Sequence, residues 1–462
     1  MTKIFVNSVV VGLSEQDSLN IGYRVVEEIA NCVEAAEIKW AVAGRNVKNL
    51  RETLDTVRDY SRKKRDITNI PIIVADVGNS SSIIEMCKRT KLLLNCVGPY
   101  NEFGGEEIVS ACIECKTHCI DLSAEIRHLD TVQANYFKLA EERGVYIVQA
   151  CGVGSLPEDY AIELFMQKFP GKLFYKVNKK VLAVSAFPMK EVRIRGLNSV
   201  EFYQEFSDGP QGITIGYGTF MSILNSLRDY FNYSKFENEV QEKVFNKKPM
   251  KTEFPLKFGW IPILYSWKEK ALCVKNMGPD VRNIRRSQMF RANYTDSDSL
   301  IDVQGYLKLP SLTKTVYYSY VFLLSLFSVF LFGKSLLIKY APTLTFGFFS
   351  KTGPTRQQLL EGSTKMTFYA EGWKNKSEES LNKHSTKPDS RLKLTITGPE
   401  PAYPFTAKCM VQAGLTLLKE QEKMPLKGGV LTPGVAFGKT TIQKRLEKSG
   451  LTFTLEDISC SV

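Results

Sequence analysis

Short runs of β-branched and aliphatic residues recur through the first 150 residues, each followed by a stretch in which apolar positions return every three or four residues. The runs Phe5 to Val11, Ile38 to Ala43, Ile72 to Ala75, Leu92 to Cys96, Cys119 to Leu122 and Val145 to Gln149 are apolar on both faces. Strands enclosed between two helical layers have that pattern. The stretches between them have the length of crossover helices, so this part of the chain predicts an α/β fold of Rossmann type, a doubly wound parallel sheet. Beyond Leu156 the pattern changes: Lys180 to Phe187 and Glu191 to Leu197 read as strands, and Gly209, Pro210, Gly212, Gly216 and Gly218 form a loop before a helix near Thr219 to Tyr230. The polar stretches Phe236 to Lys257 and Trp373 to Arg391 read as surface loops.

One segment fits neither pattern. Thr315 to Gly333 is uncharged and rich in Phe, Leu, Tyr and Val, and a second apolar run follows Lys334 as far as Phe349. Apolar residues fall on every helical face, which is rare for a surface helix, and the length is about that of a bilayer crossing. A buried core helix is the plain alternative. Lys334, Lys339, Pro342 and Gly347 interrupt the continuation, which favours a hairpin dipping into one leaflet over a single span. The expected organisation is a Rossmann-like domain over 1–155, a mixed α+β domain over 156–314 and 350–462, and a membrane hairpin over 315–349.

With 462 residues, 44% of them hydrophobic, the chain can fill two cores. Its net charge of +12 favours anionic partners, but charge alone does not choose among nucleic acid, acidic headgroups and phosphate-bearing cofactors. Met1 to Leu13 reads as a strand and not as a signal peptide, and the ten cysteines read as reduced thiols. Cys112, Cys115, Cys119 and His118 lie close together, yet without a second cysteine pair; no metal is expected.

Ligands of such sheets bind beyond the carboxyl ends of the strands. After the first strand come Gly12, Ser14 and, eight residues later, Gly22, which resemble a phosphate loop lacking its middle glycine. Glu15 and Asp17 inside it oppose a pyrophosphate unless they turn outward. The second strand ends at Arg45, which suits a 2′-phosphate better than the acidic residue of NAD-specific folds; a solvated loop cation is the bland reading. Asp76 follows the third strand, near an adenosine site or as a helix cap. Asn95, Gly98 and Pro99 make a tight turn after the fourth, near a nicotinamide site.

The strings WAVAGR (40–45), NCVGPY (95–100), CIDLSAE (119–125), CGVGSLPED (151–159) and GGVLTPGVAF (428–437) resemble, in order and spacing, those of the animal saccharopine dehydrogenase-like oxidoreductases. The resemblance implies an N-terminal NAD(P)-binding domain, within a wider group acting on amino-acid adducts and lipid chains, and a lipid-droplet destination. The chain departs from the family pattern where chemistry is expected: the loop G-A-S-G-F-T-G is interrupted, Ala124 replaces the glycine of S-G-E, and the F-D pair of G-F-D-S-I-P-A-D becomes Val153 and Gly154. The cofactor expected is NADP, held by Gly12, Ser14, Gly22, Arg45, Asp76, Asn95, Gly98 and Pro99. Catalytic residues are not assigned; Glu125 and Tyr100 are the nearest polar groups, and either can be structural. Partners expected are a lipid monolayer or membrane on its cytosolic face and a small-molecule or lipid substrate, with no nucleic acid; a homo-oligomer is left open. The alternative is a noncatalytic lipid-surface scaffold with a decayed cofactor site.

Overall fold

A computed structural model describes residues 8–12, 21–60, 67–169, 172–176, 190–194, 196–230, 233–247, 251–252, 254–257, 263–295, 300–309, 311–327, 334–373 and 386–459. In chain order the first half of the fold is β1 (Ser8–Gly12), α1 (Ile21–Asn31), β2 (Lys39–Gly44), α2 (Val47–Tyr60), β3 (Ile72–Val74), α3 (Ser80–Cys87), β4 (Leu92–Asn95), α4 (Gly105–Cys115), β5 (His118–Asp121), α5 (Ile126–Arg143), β6 (Tyr146–Val148) and α6 (Leu156–Lys168). The six strands fall where the apolar runs predicted them, and each pairs in parallel with its neighbours. Local signals set the helix ends: Asn79 caps α3 by accepting the Ser82 N–H, Pro157 opens α6, and Gly144 at φ +71° closes α5.

The second half comprises β7 (Lys172–Lys176), β8 (Lys190–Ile194), β9 (Leu197–Ser207), β10 (Ile215–Gly216), α7 (Tyr217–Tyr230), α8 (Tyr233–Lys243), β11 (Ile263–Ser266), β12 (Ala271–Lys275), α9 (Asp280–Tyr294), β13 (Asp302–Lys308), α10 (Leu312–Phe327) and α11 (Lys334–Leu344). It continues through β14 (Phe349–Ser350), α12 (Arg356–Glu361), β15 (Ser363–Gly372), β16 (Ser390–Pro399), α13 (Thr406–Glu420), β17 (Gly429–Leu431), α14 (Pro433–Phe437), α15 (Ile442–Lys448) and β18 (Thr452–Asp457). The first sheet has the order β17-β6-β5-β4-β1-β2-β3, and a second, mixed sheet has the order β11-β12-β13-β9-β15-β16-β18.

Three features differ from the expectations. β17, placed by the sequence pattern in the second domain, pairs with β6 as the seventh parallel strand of the first sheet. α13 returns with it to cover that sheet, where Gly414 lets Leu92 and Leu94 approach closely. Phe236 to Lys243, the first part of the stretch read as surface loop, belong to helix α8. The strand expected over 180–187 lies outside the described residues.

The hydrophobic segment is the largest correction. Among the described residues no helix is long and apolar enough to cross a membrane. The segment instead contains two shorter helices, α10 and α11, with Pro342 inside the second. One face of the pair is core: Val321, Leu337, Ala341 and Phe349 pack with Phe220 and Leu224 of α7. The other face is open, with Val316 65%, Leu323 63% and Phe346 80% exposed, beside Tyr320 and Tyr340.

Helix α9 joins the two sheets with an unusually polar buried surface. Arg286 is enclosed, its guanidinium donating to Gln133, Asn283, Gln149 and the Leu129 carbonyl. Arg282 makes a two-pronged contact with Asp130 Oδ2 at 2.7 and 3.2 Å. Asp159 of α6 accepts from Ser287 Oγ at 2.6 Å and from the Gly434 N–H at 2.7 Å. Buried charges are tolerated only when so paired.

Candidate functional site

The carboxyl edge of the first sheet gathers most of the residues singled out in the sequence. Gly12 ends β1 in register with Ala43 of β2 on one side and Asn95 of β4 on the other. Arg45 stands exposed one residue beyond β2, and Asp76 follows β3. Ser14 lies outside the described residues, and Gly22 is buried in the first turn of α1.

Several of these side chains serve local structure. Asp76 Oδ1 accepts the Gly78 N–H at 2.9 Å, while the cap of α3 is Asn79. Asn95 Oδ1 accepts the Val97 N–H at 3.1 Å, turning its amide into its own loop. The Gly98–Pro99 peptide is cis, and Gly98 lines a cleft.

That cleft, about 410 Å³, lies between the edge of the first sheet and the second sheet. Its floor comes from Cys96, Gly98, Tyr100, Leu122, Ala124 and Gly152 to Gly154, at the ends of β4, β5 and β6. Asp121 holds two of these ends together, its Oδ1 accepting the N–H of Ser123 at 3.0 Å and of Ala150 at 2.8 Å. The opposite wall is Gln204, Phe206, Ile213, Ile215, Asn276, Asp280 and Leu307, and Glu400 and Tyr403 close one end. No Lys or Arg lines it among the described residues. α7 forms a side: Thr219, Ser222 and Ile223 face the cleft, while Phe220 and Leu224 face α10 and α11. A helical repeat of 3.6 residues puts these two sets on different faces of one helix.

Glu125 and Tyr100 do not stand free for proton transfer. Glu125 is fully buried and accepts from Tyr100 N, Ser222 Oγ, Asn101 N, Asn101 Nδ2 and Asn225 Nδ2, at 2.7 to 3.3 Å. Tyr100 Oη donates to the Asn95 carbonyl at 2.8 Å and accepts the Leu122 N–H at 3.0 Å. Burial, reinforced by the charge of Asp121, pushes the Tyr100 hydroxyl well above its ordinary pKa.

The polar groups that do face the cleft come from elsewhere in the chain. Gln204 Nε2 donates to Glu158 Oε1 at 2.6 Å and to Asp280 Oδ1 at 3.0 Å. Asn276 Nδ2 donates to Gln204 Oε1 at 2.8 Å and to Asp280 Oδ2 at 3.0 Å. Gly154, at φ +89°, brings its N–H to Glu158 Oε1 at 3.3 Å. Burial raises both carboxyls; the charge of Asp280 raises Glu158 further, while hydrogen bonds from Gln204, Glu158 and Asn276 hold Asp280 back. Glu400 is pushed up to about 7 by burial, although it accepts the N–H groups of Ala402 and Tyr403. Sequence reasoning missed this set because Glu158, Gln204 and the neighbouring pair Asn276 and Asp280 are separated from one another by 46 to 122 residues. Glu158 alone lay within a motif already quoted.

Residues 19–148 match the model of the saccharopine dehydrogenase NADP binding domain. A saccharopine dehydrogenase-like oxidoreductase from Homo sapiens is 33% identical over 440 residues, covering 94% of each chain. A protein from Caenorhabditis elegans, 30% identical over 94% of this chain and 95% of its own, is named a lipid droplet localized protein. A probable mitochondrial saccharopine dehydrogenase-like oxidoreductase from Arabidopsis thaliana is 30% identical over 90% of this chain and 88% of its own. The strand-end motifs, the seven-stranded parallel sheet and these full-length likenesses together make the chain a member of the saccharopine dehydrogenase-like oxidoreductase family.

Proposed function

We propose that this protein is an NADP-dependent oxidoreductase that works on an apolar substrate at a lipid surface. One observation carries the reading: helix α7 is a wall of the cleft and also the seat of the helical pair whose other face is open and apolar. α7 lines the cleft with Thr219, Ser222 and Ile223 and seats α10 and α11 with Phe220 and Leu224. β10, whose Ile215 and Gly216 also line the cleft, pairs with β14 immediately after that helical pair. A substrate held in a monolayer would therefore have a short path to the site. The exposed Val316, Leu323 and Phe346 form the surface that would touch the lipid, peripherally and with both ends of the segment on one side.

The residues present fit the cofactor. A flat ring needs small neighbours, and the floor offers Gly98, Gly152 and Gly154. Gly12, Ser14 and Gly22 would hold the pyrophosphate, Arg45 the 2′-phosphate and Asp76 the adenosine side, with Asn95, Gly98 and Pro99 shaping the turn beside the nicotinamide. When bound, the reduced nicotinamide supplies a hydride; orientation, exclusion of water and the proton fall to this chain.

The test is a titration of the purified protein with NADPH and NADH, paired with flotation on phospholipid-coated triacylglycerol droplets. NADPH binding at micromolar concentration together with flotation is the expected result. Flotation without binding of either nucleotide would instead establish the lipid-surface scaffold, which Glu15 and Asp17 in the phosphate loop favour electrostatically. A protein that remains below the droplets would remove the lipid surface from the reading.

A further inference from the structure

Resting on the oxidoreductase reading, we propose that Asp280, sharing one proton with Glu158, is the proton donor of the cleft, and that the substrate it serves is an uncharged apolar carbonyl compound.

The geometry supporting the donor is specific. Asp280 and Glu158 come from different elements, the first turn of α9 and the first turn of α6, and hydrogen-bond to each other. The amide of Gln204 spans them, giving one N–H to each. Asp280 lines the cleft, whereas Glu158 is fully enclosed behind it. Glu158 Oε2 is buried without a hydrogen-bond partner among the described residues. Among the described residues the hydrogen bonds to the pair come from the neutral Gln204, Asn276 and Gly154 N–H. Two carboxylates in one dry site repel each other and lose their hydration; burial raises both, Glu158 well above its ordinary range with the charge of Asp280 adding to it, which favours one proton held between them.

The substrate class follows from the walls. Saccharopine-like adducts carry several carboxylates, and a site for them needs Lys or Arg. This cleft has none among its described lining residues and adds Glu400 instead. Ile213, Ile215, Phe206, Leu307, Leu122 and Val153 provide an apolar enclosure, with Asn276 and Asp280 as its polar point. A carbonyl group accepts a hydrogen bond there and an alkyl chain fills the remainder.

The step balances as a two-electron reduction. With a reduced nicotinamide bound, the substrate carbon would gain a hydride and a new C–H bond, the carbonyl π pair would move to oxygen, and that oxygen would take the proton as the Asp280 O–H bond breaks. That proton is the one the pair shares, so its release leaves both carboxyls ionised until solvent restores it after the alcohol departs. The nicotinamide leaves oxidised by two electrons.

Two measurements test the proposal. The infrared difference spectrum between wild type and Glu158→Gln, both nucleotide-free at pH 7, should show the loss of one protonated-carboxyl band distinct from that of Glu400, which Glu400→Gln identifies; no such loss overturns the shared proton. With NADPH and hexadecanal in detergent micelles, Asp280→Asn should lower kcat at least about 100-fold while the NADPH Kd stays within about 2-fold, the range general acid catalysis supplies. Glu158→Gln, which keeps the Gln204 and Asn276 contacts of Asp280, guards against misfolding of that variant: its rate should fall about 10-fold at pH 7.5 and recover toward pH 5, because Asp280 without its partner loses its proton more readily. Unchanged kcat in both variants overturns the donor role. Wild type that binds NADPH but leaves hexadecanal unreduced overturns the carbonyl class, and wild type that binds no NADPH brings down the oxidoreductase reading itself while the infrared band still reports the pair.

Discussion

Glu125 Oε1 accepts the backbone N–H of Tyr100 at 2.7 Å, and so fixes the turn after β4 to the N-terminus of α5. The same carboxylate receives Ser222 and Asn225 of α7, which makes it a clamp between the first sheet and the helix beside the hydrophobic pair. Glu125→Gln turns an NH2 group toward a ring of donors. The expected cost is about 2 to 3 kcal/mol of unfolding free energy, the scale of hydrogen bonds to a charged group. Urea unfolding followed by circular dichroism measures it; a loss below about 0.5 kcal/mol would show that the clamp carries little.

On the proposed function Arg45 would set the cofactor preference. Arg45→Glu should reverse the ratio of NADPH to NADH affinity, by about 10-fold or more in each direction, since a charge-assisted contact to the 2′-phosphate becomes a repulsion. Isothermal titration with both nucleotides reads the ratio directly. Equal affinities in the wild type, or an unchanged ratio in the variant, would remove Arg45 from that role.

The two faces of the α10–α11 pair should respond differently to substitution. Leu323 is 63% exposed, so Leu323→Asp is expected to change stability by no more than about 0.5 kcal/mol yet abolish flotation on lipid droplets. Phe220 is enclosed against Phe349, and Phe220→Ala should cost about 3 to 5 kcal/mol. Thermal melts and flotation assays on the same preparations separate the effects. Flotation by Leu323→Asp equal to wild type would mean that the open face does not touch lipid.

Stability should also depend on pH through Glu400, whose carboxyl is raised to about 7 by burial. A raised carboxyl pKa means that the folded state holds a proton the unfolded chain has released. The stabilisation is therefore complete below the unfolded value near 4.5 and is lost as pH rises to about 7. The size is on the order of 3 kcal/mol, from a shift of roughly two units. Glu400→Gln should flatten this part of the stability profile in denaturant titrations between pH 4.5 and 7.5; a slope equal to wild type would assign the dependence to other carboxyls.

The first six strands were legible because strands buried on both faces must be apolar throughout, and that requirement is local. Gly12, Arg45, Asp76 and Gly98 could be placed along one edge for the same reason: parallel connectivity puts every strand end on the same side. Other decisions depended on distance. β17 joins the first sheet across 280 residues of chain, and no local pattern distinguishes it from a strand of the second sheet. Glu125 and Tyr100 read as candidate chemical groups, but only packing showed their oxygens already saturated with hydrogen bonds. The hydrophobic segment carried enough apolar residues for a membrane, and it was the folded arrangement of α7, α10 and α11 that turned one face inward and left the other open. The Glu158, Gln204, Asn276 and Asp280 set likewise exists only where two sheets meet. Hydrophobic periodicity is written along the chain, whereas the partners that neutralise, bury or expose a side chain are supplied by segments that come together only on folding.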